Sequence, residues 1–239
     1  MNENPQRERR LRRGRRCWDR VSSLEGKAGT DRRAAPISTY ALDHLDVRTG
    51  DAVLDIGCGA GNNLPDLRAA VGPTGQVVGI DYSTGMLARA ERQIRNHGWD
   101  NVVARQVDFT RTEIEADRFD AALASFSLSA MPDVPTALAN AHTALRPGGR
   151  LFVIDMRLIP AGWSTPLIWF FQGVYRALAG WSGVDVLDTA RATFASVDLP
   201  DPPGKPGRGQ PTAGWPPLTT FVATKPDESA SGFRERGIL

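Results

Sequence analysis

At 239 residues, 41% of them apolar, and with a formal charge of +2, the chain can bury one sizeable core and fits a single α/β domain with small additions. Two cysteines, Cys17 and Cys58, exclude a disulfide framework, since a bridge at Cys58 would distort the glycine-rich turn around it; this predicts a reducing, cytoplasmic setting. No run approaches the roughly 18 consecutive apolar residues of a membrane-spanning helix, so the expectation is a soluble chain, with peripheral membrane contact left open.

The charge is unevenly placed. Residues 1–20 hold eight arginines against Glu3, Glu8 and Asp19, which leaves the remainder close to neutral. The run RERRLRRGRR at 7–16 could meet anionic lipid heads or nucleic-acid phosphate. With Leu11 its one large apolar residue before Cys17 and Trp18, it reads as a solvated, partly disordered tail. It lacks a secretory peptide's long apolar middle, so no export signal is expected. Residues 1–31 are assigned as a basic arm or lid, 32–225 as the catalytic domain and 226–239 as a disordered tail.

Residues 32–45 carry apolar side chains at helical spacing. Strand and helix patterns then alternate: AVLDI (52–56), the helix LPDLRAAV (64–71), QVVGI (76–80), a helix over 83–96 with Ser83 as N-cap, NVVARQV (101–107), FDAALASF (119–126), a helix over 135–145, and RLFVIDM (150–156) after the turn at Pro147, Gly148 and Gly149. Such alternation specifies βαβ units and a parallel sheet. Residues 163–181 are aromatic and helical, 184–195 form another helix, and FASVDL (194–199) overlaps its end as a sixth strand. A Pro/Gly-rich loop (200–217) at the far edge of the sheet precedes a last strand, LTTFVAT (218–224).

In a doubly wound sheet, ligands bind at the carboxyl ends of the strands, and the first strand-to-helix turn brings backbone close to them. Gly57, Gly59 and Gly61 occupy that turn, where a Cβ would obstruct the ligand; Cys58 and Asn62 complete it. Asp55, near the end of an otherwise apolar strand, is costly without a positive or hydrogen-bonding partner, and a ligand ammonium is such a partner. A dinucleotide turn wants G-x-G-x-x-G, whereas here the third glycine comes one residue early and Asn62 stands sixth. Asp81, at the second strand tip and followed by Tyr82, can take both ribose hydroxyls. Asp108 stands where an adenine amino group could donate, Phe109 can cover the ring, and Met86 can pack on its other face, although Asp108 could instead cap the next turn.

Together, residues 53–61, 79–87, 107–109, 119–133 and 144–156 resemble the successive motifs of class I S-adenosylmethionine-dependent methyltransferases. The runs DYSTGML and LRPGGRLFVID are similar to the small-molecule branch holding ubiquinone/menaquinone and phospholipid methyltransferases. The resemblance covers about residues 35–157. It implies a Rossmann-like, doubly wound seven-stranded sheet, mostly parallel, with an antiparallel last strand. It also implies S-adenosyl-L-methionine as cofactor, with Asp55, Gly57, Gly59 and Gly61 around its methionyl part, Asp81 on the ribose, Asp108 and Phe109 at the adenine, and Ser125 facing the sulfonium.

Methyl transfer depends more on alignment and a dry site than on acid or base help. For a hydroxyl or acidic carbon acceptor, Asp155 is the first candidate base and Tyr40 the second. The histidines, His44, His97 and His142, show no metal-ligand spacing, and no metal is expected. Residues 162–195 are assigned as a helical insertion, with the apolar stretch 162–181 either roofing the site or packing on the sheet; as a roof it would favour an apolar or amphipathic acceptor such as a lipid head group, a quinone-like ring or a polyketide-like metabolite. Base-modifying amino-methyltransferases resemble one another in an Asn- or Asp-Pro-Pro-aromatic run after the fourth strand; here the residues are Ser125, Phe126, Ser127 and Leu128, and no nucleic-acid substrate is expected. The competing readings are a cofactor-binding or membrane-surface module without transferase activity, and a nicotinamide oxidoreductase.

Overall fold

The computed structural model describes residues 5–25, 35–178, 181–201 and 217–227. Most of the Pro/Gly-rich loop and of the tail after Pro226 lies outside them.

Five parallel strands, β1 (Ala52–Ile56), β2 (Gln76–Asp81), β3 (Val102–Gln106), β4 (Phe119–Ser125) and β5 (Leu145–Met156), form most of one sheet. β7 (Leu218–Thr224) lies antiparallel between β5 and the short β6 (Ser196–Asp198), giving the order β3-β2-β1-β4-β5-β7-β6. The sheet is therefore seven-stranded and mostly parallel, with an antiparallel last strand in sequence. That strand is not the edge, because β6 pairs outside it.

Parallel strands covered on both faces read as unbroken apolar runs, and the stretch 121–124 of β4 is buried throughout. Alternate residues serve opposite faces. Val53 and Leu123 meet α2 (Ala35–Leu45), α3 (Leu64–Val71) and α4 (Thr84–His97), while Leu54 and Ile56 meet α5 (Val134–Ala144) and α7 (Val186–Thr193). The same parity puts Asp55 on the α2/α3 side. The expected N-cap holds: Ser83 Oγ accepts the Met86 N–H at 3.2 Å. Asp133 and Asp185 cap α5 and α7 in the same manner.

The expected turn at 147–149 is instead a bulge within β5, because the pairing jumps from Phe119 with Leu145 to Ala121 with Arg150. Backbone bonds from Gly148 to Lys225 and from Lys225 to Gly149 satisfy the bulged residues.

A larger departure is the basic arm. In place of a disordered tail stands α1 (Pro5–Glu25), which packs against α4 and touches α6 (Thr165–Leu178). Leu11 is buried, and Asp19 Oδ1 accepts the Gly85 N–H at 3.2 Å and the Ser83 hydroxyl. These tertiary contacts outweigh the arm's low hydrophobicity. α6 buries Ile168 with Leu158 and Trp181, and partly Phe171 and Tyr175, beyond the end of β5.

Leu123 is fully buried on the central strand between two helical layers. Leu123→Ala is expected to cost about 2–5 kcal/mol in urea unfolding, with the slope unchanged.

Candidate functional site

The strands' carboxyl ends open on a cavity of about 480 Å3, within the range of small-molecule sites. Its floor is the turn after β1. Gly57 has φ +71°, and a Cβ there would stand 2.3 Å from the Ser127 Cβ, so the loops after β1 and β4 can approach only because this residue is glycine. Ser127 locks the approach, its hydroxyl donating to the Ile56 carbonyl at 2.6 Å. Phe126 reverses the chain after β4 with a φ of +52°, a left-handed conformation that a bulky residue adopts only when its surroundings fix it.

At the tip of β2, Asp81 Oδ2 accepts the Gly59 N–H at 2.9 Å and Oδ1 accepts the Ser83 N–H at 2.7 Å. Burial raises its pKa, and these backbone bonds partly offset the rise. Each oxygen retains a lone pair for a further donor. Asp108 does cap its own turn, Oδ1 accepting from the Thr110 N–H at 3.0 Å and hydroxyl at 2.6 Å, yet it also lines the cavity, and its Oδ2 stands 3.8 Å from Arg111 Nε. Phe109 and Met86 are nearly buried and contribute apolar wall. Burial, followed by the charges of Asp55 and Asp81, pushes the Cys58 thiol well up, so it is a neutral part of the wall and no nucleophile.

Ten of the twelve residues expected at a cofactor meet in this wall: Gly57, Cys58, Gly59, Asn62, Asp81, Tyr82, Met86, Asp108, Phe109 and Ser125. Asp55 and Gly61 lie behind it. A Cβ on Gly61 would fall 2.8 Å from Leu64 Cδ1 and 3.1 Å from the Ala90 methyl, so this glycine serves the packing of α3 on α4. Asp55 is fully buried, its two oxygens each 3.4 Å from the side-chain amide of Asn63, which does line the cavity.

Neither candidate base reaches the wall. Asp155 is fully buried and accepts from the Ser129 N–H at 2.9 Å, the Ser129 hydroxyl and its neighbour's Met156 N–H at 2.7 Å. Tyr175 from α6 adds a hydroxyl 3.1 Å from Ser129 Oγ. The carboxylate thus clamps the 3₁₀ turn Leu128–Ala130, which precedes Met131 and Pro132 of the wall. Tyr40 faces away: its hydroxyl donates to the Asp201 carbonyl and its ring lies against His44 and Phe152.

Of the two covers expected, the roof comes from the arm. None of the described residues of 162–181 lines the cavity, whereas α1, in the segment assigned as arm or lid, does so through Leu11, Gly14, Arg15 and Trp18. Arg15 sits 5.8 Å above the Tyr82 ring and donates to Thr84 Oγ1 at 3.4 Å, and Glu8 pairs with Arg111. α7, in the second half of the expected insertion, belongs to the main core. In the sequence Leu11 stands out only as an apolar residue of the arm and Gly14 not at all; their signal is the spacing 11, 14, 15, 18, one helical face inside an arginine run. Among the described residues no cluster of three His, Cys, Asp or Glu has metal-binding geometry.

Residues 48–169 match the family described as a methyltransferase domain. A nocamycin O-methyltransferase of Saccharothrix syringae is 34% identical over 134 residues, 56% of this chain and 48% of that protein. A ubiquinone/menaquinone biosynthesis C-methyltransferase of Hahella chejuensis is 34% identical over 117 residues, 48% of this chain and 47% of that protein. The chain thus spans about half the length of the curated relatives it matches. Among solved structures, a phosphoethanolamine N-methyltransferase of Haemonchus contortus in complex with S-adenosyl-L-methionine superimposes with a TM-score of 0.62 at 18% identity, covering 79% of this chain and 52% of that one, a likeness of fold.

Asp55 supplies a check on the buried floor. Burial lifts its pKa from 3.8 to about 7, so the native state binds this proton more tightly than the unfolded chain. Its contribution to stability is therefore full in acid, falls as pH rises from about 4 to about 7, and is constant above. Asp55→Asn cannot titrate. Relative to the variant, the wild type is expected to lose on the order of a few kcal/mol between pH 4 and pH 8 in urea unfolding; parallel pH profiles would contradict the assignment.

Proposed function

The chain belongs to the methyltransferase-domain family, and we propose that it transfers a methyl group from S-adenosyl-L-methionine to an apolar or amphipathic small molecule. The observation that carries this reading is the single cavity in which Asp81 and Asp108, at the tips of successive strands, meet the backbone of Gly57 and Gly59 under an apolar roof.

The donor set fits that cofactor. Asp81 has acceptor capacity for two ribose hydroxyls, and Asp108 Oδ2 for an adenine amino group packed between Phe109 and Met86. Asn63 and the turn at 57–59 suit the amino-acid end. Asp55 acts through Asn63 in this reading, fixing the amide that faces the cofactor. When bound, S-adenosylmethionine supplies an electrophilic methyl group on a sulfonium, which an acceptor displaces in line.

The protein's own contribution is alignment and exclusion of water. Ser127 and Phe126 hold the β4 loop against the floor, and the Asp155 clamp fixes the turn that carries Ala130 to the cavity. Leu11, Trp18, Met131 and Pro132 exclude water from the space above. Asp155 has no path to an acceptor, so it serves as a positioning group in place of a base. The apolar roof supports an apolar or amphipathic acceptor, and relatives named for nocamycin and for ubiquinone/menaquinone agree with that class. The paired strand-tip acids with a G-x-G-x-G turn support the methyl donor over a nicotinamide.

Titration calorimetry with S-adenosylhomocysteine tests the cofactor. Binding is expected for the wild type, weakened at least about tenfold in Asp81→Ala through loss of charge-assisted hydrogen bonds, while NADH gives no heat. Tritiated methyl from the donor is expected in the organic extract of reactions with phenolic or quinol acceptors. NADH binding without S-adenosylhomocysteine binding would overturn the reading.

A further inference from the structure

The outward side of α1 and the exposed side of α6 meet in one surface. Glu8, Arg15 and Asp19 turn toward the body of the protein, where they bond Arg111, Thr84 and Gly85. Arg9, Arg12, Arg13 and Arg16 turn outward, all four exposed and without an ion pair to any described residue. With Arg20 they border a groove whose other wall is Ala177 and Leu178, at the end of α6.

From that wall an apolar stripe runs back along α6. Leu178, the half-buried Val174, Phe170 and Leu167 recur at helical spacing, about a quarter turn from the face that holds the buried Ile168 and the partly buried Phe171 and Tyr175. Phe170 is 64% exposed, Leu178 55%, and Trp169 and Trp163 beside them 62% and 79%. A single exposed aromatic needs no explanation; four large exposed apolar side chains on and beside α6, near a block of four arginines that pair with no described residue, do.

We propose that the arginine face of α1 and the apolar stripe of α6 form one docking surface for a membrane containing anionic lipids. Each half suits one layer of that interface: guanidinium groups pair with headgroup phosphates, and Trp and Phe enter the boundary between headgroups and acyl chains. A second copy of the chain fits less well, because pairing through a two-fold axis would set each arginine block against either its counterpart or the partner's apolar stripe, and neither neutralises the guanidinium groups. Nucleic acid would satisfy the arginines but leave Leu167, Phe170 and Leu178 in water. The surface also adjoins the roof of the cavity, since α1 contributes one face to that roof and another to the groove. An acceptor dissolved in the membrane would then approach without crossing water.

The test is co-sedimentation of the full chain with extruded vesicles of phosphatidylcholine alone or with 30% phosphatidylserine. Binding is expected to be at least about tenfold stronger with phosphatidylserine at 0.1 M salt and largely lost at 0.5 M, with a blue shift of tryptophan fluorescence. Arg12→Ala/Arg13→Ala/Arg16→Ala is expected to lower vesicle binding at least about tenfold, and Trp169→Ser/Phe170→Ser several-fold, both leaving S-adenosylhomocysteine affinity unchanged. Should the triple variant lose its native circular dichroism, Arg12→Glu and Arg16→Glu singly replace it. Equal or absent binding to both vesicles, a mass doubling in solution abolished by Phe170→Ser, or retention of RNA without retention of vesicles would each overturn the proposal. All these readouts are independent of methyl transfer, so their failure leaves the proposed reaction standing.

Discussion

The cavity is organised by one carboxylate. Asp81 accepts N–H bonds from Gly59 on one side and Ser83 on the other, so the tip of β2 fixes both the turn after β1 and the start of α4. Ser83 in turn caps α4 and donates its hydroxyl to Asp19 of α1. Floor, wall and roof are thus joined through two side chains, Asp81 and Ser83. Even a partly buried carboxylate is costly unless hydrogen-bonded, and here the bonds that offset that cost are the ones that tie the floor of the cavity to its wall.

The second constraint is steric. Gly57 allows the β4 loop to within contact of the β1 turn, and Phe126 and Ser127 hold it there. Beneath lies Asp55, whose pKa is about 7 because burial outweighs the help from Asn63. The floor is therefore stacked from backbone, a buried acid and one amide, and the amide alone of these polar side chains reaches the cavity. This explains why an acid conspicuous in the strand is absent from the wall.

The sheet was legible because its signals are local. Apolar runs stopped by glycine or aspartate mark strand ends, and their alternation with helical patterns marks a parallel sheet; the order in which β4 returns beside β1 and β7 slips between β5 and β6 has no local signal. The strand-tip acids Asp81 and Asp108 were legible for the same reason. Direction across the sheet was less so: Asp155 ends a strand as Asp81 does, yet its carboxylate turns under the 3₁₀ turn, and Tyr40 turns to Asp201. Neither orientation is encoded by spacing. The bulge in β5 depends on Lys225, some eighty residues away, and no local pattern at Pro147 announces it.

The exchange of roles between the arm and residues 162–181 has one physical cause. Hydrophobicity summed over a segment says how much of it must be covered, but not by what. α1 is poor in apolar residues and still docks, because Leu11, Gly14 and Trp18 fall on one face and Asp19 finds two free donors at the start of α4. α6 is rich in apolar residues and still leaves Phe170 and Leu178 exposed, because the space at the end of β5 accepts only the Ile168 side. A helix with eight arginines covers the cavity, and a helix with exposed aromatics faces outward beside it. That inversion is what the proposed docking surface would use, guanidinium groups meeting a layer of phosphate and aromatic rings the hydrocarbon beneath it.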